Sequence, residues 1–139
     1  MNIAIIGGGI LGTTISYWIS NLYDSSVCVI EKESNVAKHT SGRNTGVVHT
    51  PFYLNPETKK IFAKSAHVSH DLWKTLATNT MSPWNEVGTI EVALDETQHK
   101  TLEKYHKWGI QNGVSENNLS LLDSNDLKQK EKNIECYSG

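Results

Sequence analysis

The first 32 residues contain two short apolar runs separated by a stretch with helical periodicity. The runs are Ile3-Ala4-Ile5-Ile6 and Val27-Cys28-Val29-Ile30, and neither has the polar interruptions that a half-exposed strand would show. The intervening positions that follow the helical period are Ile10, Leu11, Thr14, Ile15, Trp18, Ile19 and Leu22. The pattern therefore predicts a buried strand, a helix and a second parallel strand, which together form a βαβ unit.

Residues 56–93 are predicted to form a helix, a connector and a strand. Pro56 suits the first position of a helix, with Asn55 as the N-cap. The helix continues to about residue 77, and its periodic positions are Ile61, Ser65, Val68, Leu72 and Leu76. Residues 79–85 connect it to a strand at residues 87–93, in which Gly88 marks a bulge or a close backbone approach.

The remaining residues predict two further helices and one short strand. Asp95 is the predicted N-cap of a helix that ends near Gln111, at Asn112-Gly113. Residues 119–122 form a short apolar run, which we interpret as a strand. A charged helix then extends to Lys130, and its predicted N-cap is Asp123, Ser124 or Asn125.

A glycine-rich turn joins the first strand to the first helix, with the sequence Gly7-Gly8-Gly9-Ile10-Leu11-Gly12. In a G-x-G-x-x-G turn the first glycine permits the tight bend, the second lets the backbone approach a pyrophosphate, and the third allows close packing of helix and strand. The N-H groups at the start of the helix then face the phosphates. Glycine-rich turns also occur in ordinary loops, but the order of strand, glycines, helix and strand favours dinucleotide binding.

Glu31 follows the second strand, 19 residues after Gly12. At this position a carboxylate can accept hydrogen bonds from a ribose hydroxyl group. The same carboxylate would repel a 2'-phosphate, so the pattern favours FAD or NAD over NADP. We therefore predict an α/β fold, with a Rossmann-like FAD/NAD(P)-binding unit over residues 1–80. A second α+β lobe is predicted to begin near Pro83 and to occupy residues 81–139.

Composition narrows the possible classes of partner and site. The 139 residues carry 13 Lys and Arg against 15 Asp and Glu, and without a basic stripe we expect no nucleic-acid partner. No apolar run is long enough to span a bilayer and the N-terminus lacks a signal-peptide pattern, so we expect a cytoplasmic protein. Cys28 is expected to be a small buried thiol. His67 and His70 have no ligating partner in the sequence pattern, so we expect a solvated helix face and no metal.

The segment His39-Thr40-Ser41-Gly42-Arg43-Asn44-Thr45-Gly46 is polar, punctuated by glycine and carries one fixed cation, which predicts a loop. Loops at the carboxyl ends of strands in such sheets are where ligands bind. An ordinary solvated connection is the alternative interpretation of this segment. Residues 47–49 after it are predicted to form a short strand or a turn.

Several segments together resemble the N-terminal region of FAD-dependent oxidoreductases of the D-amino-acid-oxidase-like superfamily, and most closely its L-2-hydroxyglutarate oxidase or dehydrogenase branch. The segments are Gly7 to Gly12, Val29-Ile30-Glu31-Lys32, His39 to His49, Phe52-Tyr53, Val87 to Asp95, and Asn112 to Leu127. The resemblance implies FAD as the cofactor and a small 2-hydroxy acid as the substrate, oxidised by hydride transfer to the flavin. Thr50-Pro51 departs from the small residue and glycine expected before the aromatic pair.

The resemblance also implies a set of cofactor-binding residues. Glu31 would hold the adenosine ribose, and the loop after residue 40 would lie along the pyrophosphate and the flavin. The full set is Gly7, Gly8, Gly9, Ile10, Leu11, Gly12, Glu31, Lys32, Ser41, Arg43, Asn44, Thr45 and Gly46. Arg43 can make charge-assisted bonds to phosphate. His49 is the candidate catalytic residue facing flavin or substrate, and a plain structural histidine is the alternative.

Family members return to the dinucleotide domain late in their chains, whereas these 139 residues end within the implied substrate domain. We therefore expect an incomplete fold from a split or truncated reading frame, with an unpaired sheet edge and exposed apolar surface. One hypothesis is the N-terminal part of an FAD-dependent oxidoreductase, completed by a downstream chain. The alternatives are a non-catalytic remnant and an NAD- or adenine-nucleotide-binding module.

Overall fold

The computed structural model describes residues 1–139, and its first three elements form a βαβ unit. Strand β1 spans Asn2–Ile6, helix α1 spans Ile10–Leu22 and strand β2 spans Ser26–Ile30. The two strands pair in parallel, with Ile3 opposite Val27 and Ile5 opposite Val29. The predicted βαβ unit and its parallel pairing are therefore confirmed.

The two faces of this two-stranded sheet differ in exposure. Ile3, Ile5, Val27 and Val29 are half-buried, and the residues that alternate with them are exposed. Cys28 is on the exposed face, so the expectation of a buried thiol is wrong. The physical reason is that a parallel sheet is normally covered on both faces, and only one face of this sheet is covered.

The chain divides into two compact units, Met1–Val47 and Val48–Gly139. The first contains the βαβ unit and a loop with a 3-10 turn at Thr40–Gly42. Residues 47–49 form neither a strand nor a turn. The division at residue 47 differs from the predicted domain boundary near residue 80. Helix α2, which spans Lys60–Thr80, belongs to the second unit, and the boundary at residue 80 stays a prediction about the complete family fold.

The second unit also contains helices α3, Glu96–Gln111, and α4, Ser124–Lys130, with a 3-10 turn at Glu116–Asn118. Its small core consists of Ala63, Ala77, Ala93, Leu102 and Leu127. Two predicted helix caps are confirmed: the carboxylate of Asp95 accepts from Gln98 N-H at 2.8 Å, and that of Asp123 accepts from Asn125 and Asp126 N-H at 2.7 and 2.9 Å. Gly113, after α3, has φ +94°, as a residue that ends a helix often does.

Helix α2 begins at Lys60 and not at Pro56 as predicted. Asn55 still caps backbone N-H groups, because its Oδ1 atom accepts from Glu57 and Thr58 at 2.9 and 3.1 Å. These bonds stabilise a turn before the helix. The prediction that Asn55 is the N-cap of α2 is therefore wrong, because the N-cap is Lys59 and Asn55 caps the preceding turn.

The strands predicted at residues 87–93 and 119–122 are not formed. Residues 83–92 make no backbone-to-backbone hydrogen bond, and pairing is limited to isolated bridges of Ser138 with Ala93 and Asp123. A strand needs a hydrogen-bonded neighbour, and the alternating pattern alone does not supply one. No helix of the chain is both long enough and apolar enough to cross a membrane.

Candidate functional site

The glycine turn brings α1 close against the end of β1. Gly7 has φ +102° and donates its N-H to Ile30 O at 2.8 Å. A Cβ atom on Gly12 would lie 1.9 Å from Gly7 O, which is far inside the contact distance. Glycine is therefore required at both positions, at Gly7 for its backbone conformation and at Gly12 for close packing.

The N-terminus of α1 presents hydrogen-bond donors with no acceptor in the chain. Gly9 is the N-cap residue, and no side chain of the first turn is acidic. Ile10 N-H donates to Ser41 Oγ at 2.9 Å, whereas the N-H groups of Leu11 and Gly12 donate to no atom of the chain. Free N-H groups at a helix N-terminus are a site for a phosphate group.

Glu31 lies beside the glycine turn with its carboxylate already held. Its Oε2 atom accepts from Gly8 N-H at 2.7 Å and its Oε1 atom from Glu33 N-H at 3.0 Å. The N-H groups of Glu33 and then Gly8 lower the pKa of Glu31, because they stabilise the charged form. Each oxygen keeps a second lone pair, so an ionised, oriented carboxylate remains available to a hydroxyl group.

The loop after β2 folds back onto the glycine turn through contacts that the sequence analysis did not identify. Ala37 has φ +58° and donates its N-H to Gly8 O at 3.0 Å. A Cβ on Gly42 would lie 2.2 Å from Ala37 O, and a Cβ on Gly9 would lie 3.0 Å from Ser41 Oγ. The glycine after Ser41 was a visible signal of a close approach, but nothing in the sequence marked Ala37.

Most of the predicted polar side chains of the loop bond within the first unit. The Nδ2 atom of Asn44 donates to Thr40 O and Ser41 O, and its Oδ1 atom accepts from Gly46 N-H at 2.7 Å. Thr45 Oγ1 accepts from Val47 N-H at 3.4 Å. These side chains therefore fix the loop, in which Gly46 has φ +69°.

Two cationic side chains remain at the surface of this unit. The side chain of Lys32 is 81% exposed and forms only a 3.7 Å ion pair with Glu33. Arg43 is exposed and its guanidinium group makes no hydrogen bond or ion pair. Of the predicted site residues, Gly7 to Gly12, Glu31 and Ser41 are brought together by direct contacts, while Lys32 and Arg43 have exposed side chains.

His49 lies in the second unit, where it lines a cavity of about 550 Å³. His67 and His70 line the same cavity. Both are half-buried, and His70 contacts the edge of Trp84 with the ring centroids 5.2 Å apart. The prediction that His67 and His70 lie on a solvated face is therefore wrong, because this side of α2 packs within the unit. No three potential ligand side chains converge on a metal site.

Comparison with known proteins gives this geometry a family context. The model of the FAD dependent oxidoreductase family matches residues 2–139. The chain belongs to this family. FAD is thus the cofactor of the family, and the free N-H groups in the first turn of α1 and the oriented carboxylate of Glu31 fit its phosphate and ribose groups.

The chain is similar to two groups of relatives, whose names give different substrates. It is 33% identical over 135 residues to glycerol 3-phosphate dehydrogenase of Caloramator mitchellensis. This match covers 96% of this chain and 27% of the relative. It is also 33% identical over 131 residues to mitochondrial L-2-hydroxyglutarate dehydrogenase of Bos taurus. That match covers 94% of this chain and 27% of the relative. The chain therefore spans about a quarter of the length of these relatives.

A solved structure supports the same relationship. The dithionite-reduced L-alpha-glycerophosphate oxidase of Mycoplasma pneumoniae, with FAD bound, superposes with a TM-score of 0.80 at 27% identity. The match covers 99% of this chain and 36% of that chain. The fold is therefore the mixed α/β, Rossmann-like N-terminal part of an FAD-dependent oxidoreductase, and the predicted family and fold class are confirmed.

Proposed function

We propose that this chain is the FAD-binding N-terminal portion of an oxidoreductase that acts on a small hydroxy acid or a glycerol phosphate. The observation that carries the proposal is the start of α1, where Gly9 has no side chain and the N-H groups of Leu11 and Gly12 have no acceptor. A diphosphate placed there would accept both bonds at the positive end of the helix dipole.

The remaining residues of the first unit have separate roles in this proposal. Glu31 accepts hydrogen bonds from the adenosine ribose while Gly8 and Glu33 hold its carboxylate ionised. Arg43 supplies an exposed positive charge that can make charge-assisted bonds to a phosphate. Asn44 and Gly46 keep the loop in its conformation. Lys32, with an exposed side chain, contributes a second positive charge beside the ribose.

The substrate class rests on chemistry that two groups of relatives share. L-2-hydroxyglutarate and glycerol 3-phosphate, named in those relatives, each carry a secondary hydroxyl group near an acidic group. Bound FAD would accept the hydride released when such a hydroxyl-bearing carbon is oxidised. His49, in the cavity of the second unit, is the candidate to take the hydroxyl proton. A small acid with a secondary hydroxyl group is therefore the proposed substrate, in a protein with the predicted cytoplasmic location.

The proposal includes a further polypeptide that completes the fold. It is supported by the uncovered face of the β1-β2 sheet, where Ile6 is 79% exposed and Ile30 50% exposed. A parallel pair with one bare face is at best marginally stable by itself. The relatives are about four times longer than the matched region, and the additional residues would supply the missing layer. A remnant that keeps only the nucleotide half-site is the alternative function.

The test is direct binding to the purified 139-residue chain, measured by calorimetry with FAD, ADP, FMN and NAD. The proposal predicts that FAD and ADP bind with similar, weak affinity and that FMN does not bind, because the contacts lie along the ADP half. Absence of binding by both FAD and ADP would refute it. Preference for NAD over FAD would support the nucleotide-module alternative.

A further inference from the structure

The cavity of about 550 Å³ in the second unit is large enough for a small-molecule ligand. We call it the histidine cavity, because His49, His67 and His70 line it. No lysine or arginine lines this cavity, whereas Asp71 and Glu91 do. The histidine cavity therefore offers imidazole groups and negative charge to a ligand, but no side chain with a permanent positive charge.

The charges around the histidine cavity disfavour a phosphate group. A phosphate monoester carries up to about two negative charges near neutral pH, and proteins usually hold it with arginine, lysine or a helix N-terminus. A single carboxylate carries one negative charge, and neutral N-H and O-H groups can donate to its oxygens. The histidine cavity therefore suits a carboxylate better than a phosphate ester.

His70 is oriented by the residue that follows it on α2. Its Nδ1 atom lies 3.4 Å from Oδ1 of Asp71, and its ring packs edge-on against Trp84 with the ring centroids 5.2 Å apart. An ionised carboxylate only accepts hydrogen bonds, so in the neutral ring of His70 the proton is on Nδ1. The Nε2 atom makes no hydrogen bond within the chain, and it presents a lone pair that can accept one from a ligand.

His67 offers the complementary group, a hydrogen-bond donor. Its Nε2 atom is buried and has no hydrogen-bond partner, whereas its Nδ1 atom is accessible. Among backbone groups, a buried N-H group without an acceptor is rarer than a buried acceptor without a donor. The same preference places the proton of the neutral ring on Nδ1, where it can donate to an acceptor in the cavity.

We infer that His67 and His70 form a donor–acceptor pair for a 2-hydroxy carboxylate, an inference that rests on the proposed function. Nε2 of His70 accepts from the hydroxyl group of the ligand, and Nδ1-H of His67 donates to its carboxylate. The two residues are three positions apart on α2, which places their Cβ atoms about 5–6 Å apart. A 2-hydroxy carboxylate carries the two groups on adjacent carbon atoms, so one molecule can contact both rings. His70 is then a second candidate, beside His49, to take the hydroxyl proton.

The experiment is a ligand titration of the purified 139-residue chain without FAD, followed by NMR of the imidazole protons near neutral pH. The ligands are L-2-hydroxyglutarate, glutarate, which lacks only the hydroxyl group, and glycerol 3-phosphate. The variants are His67→Leu and His70→Leu, which also assign the two sets of signals. The control is His39→Leu, which changes an exposed histidine of the first unit.

We expect the wild-type chain to bind L-2-hydroxyglutarate about three- to ten-fold more tightly than glutarate, because the hydroxyl group adds one hydrogen bond. Glycerol 3-phosphate should bind more weakly than L-2-hydroxyglutarate. His70→Leu should lower the affinity for L-2-hydroxyglutarate to about that for glutarate, without changing the affinity for glutarate. His67→Leu should weaken both dicarboxylates by a similar factor, and His39→Leu should change neither affinity.

Three results would overturn the inference. The first is equal affinity of the wild-type chain for L-2-hydroxyglutarate and glutarate, or no binding of either. The second is glycerol 3-phosphate that binds as tightly as L-2-hydroxyglutarate. The third is a His70→Leu variant that weakens both dicarboxylates equally. Circular dichroism checks that the variants keep their helices, and the comparison of ligands on the wild-type chain does not depend on the folding of any variant.

Cofactor binding is measured separately, because the histidine cavity belongs to Val48–Gly139 and the proposed FAD-binding residues belong to Met1–Val47. A chain that binds FAD and ADP but does not distinguish the two dicarboxylates contradicts the histidine pair alone. A chain that distinguishes the dicarboxylates but binds neither FAD nor ADP contradicts the proposed cofactor site alone.

Discussion

Gly9 has an ordinary backbone conformation, but there is little space for a side chain at this position. Its φ of −78° and ψ of −178° are accessible to any residue, and a Cβ there would lie 3.0 Å from Ser41 Oγ. Gly9→Val should therefore leave the fold largely intact but fill the space before the helix N-terminus. We expect loss of measurable FAD and ADP binding by calorimetry, with Thr14→Ala as the control.

Glu31→Ala tests the ribose contact at the same site. Loss of the carboxylate removes charge-assisted bonds, so we expect FAD affinity to fall about ten- to one hundred-fold. The control variant Glu57→Ala, at an exposed position outside the first unit, should not change the FAD affinity. Unchanged affinity in the Glu31 variant would show that the ribose lies elsewhere.

The lowered pKa of Glu31 also makes part of the folding stability depend on pH. The N-H groups of Glu33 and Gly8 hold its pKa below the usual 4.5, so the folded chain binds this proton less readily than the unfolded chain. The stabilisation is fully present above about pH 4.5 and is lost as pH falls through the lowered pKa. Urea unfolding between about pH 3 and 7 should show a shallower acid decline in Glu31→Gln, whereas Glu57→Gln should follow the wild type.

At the scale of elements, the contact between α1 and β1 depends on Gly12. A Cβ atom at this position would lie 1.9 Å from Gly7 O, so Gly12→Ala must separate helix and turn. We expect a loss of about 1–3 kcal/mol, measured by urea unfolding and by faster amide hydrogen exchange in β1 and β2. Ser16→Ala, on the same helix, should stay within about 0.5 kcal/mol of wild type. Equal exchange in the two variants would contradict the packing role of Gly12.

Elements defined by local pattern were predictable, whereas those that need a distant partner were not. The strands β1 and β2 and the caps Asp95 and Asp123 follow from adjacent residues. The strand predicted at residues 87–93 has the correct alternation, but only its last residue, Ala93, pairs with another segment. Side-chain contacts across the site, such as Ile10 with Ser41, join positions far apart in sequence. Periodicity therefore predicts which residues form a face, but not what covers that face.

At the scale of the whole molecule, the two units hold different parts of the proposed chemistry. The proposed nucleotide-binding residues belong to Met1–Val47, and His49 belongs to Val48–Gly139. Oxidation needs the flavin ring and a base held precisely against the substrate, and the matched relatives use about four times as much chain. The groups present in these 139 residues are therefore expected to bind nucleotide without supporting turnover.

We accordingly predict no oxidation of L-2-hydroxyglutarate or glycerol 3-phosphate by the 139-residue chain with added FAD and an artificial electron acceptor. The Mycoplasma pneumoniae oxidase, assayed with glycerol 3-phosphate, is the positive control. Turnover by this chain that disappears in His49→Ala would mean that its own residues hold flavin, substrate and base together. In that case the proposed further polypeptide would be dispensable for catalysis, and the exposed sheet face with Ile6 and Ile30 would need another explanation.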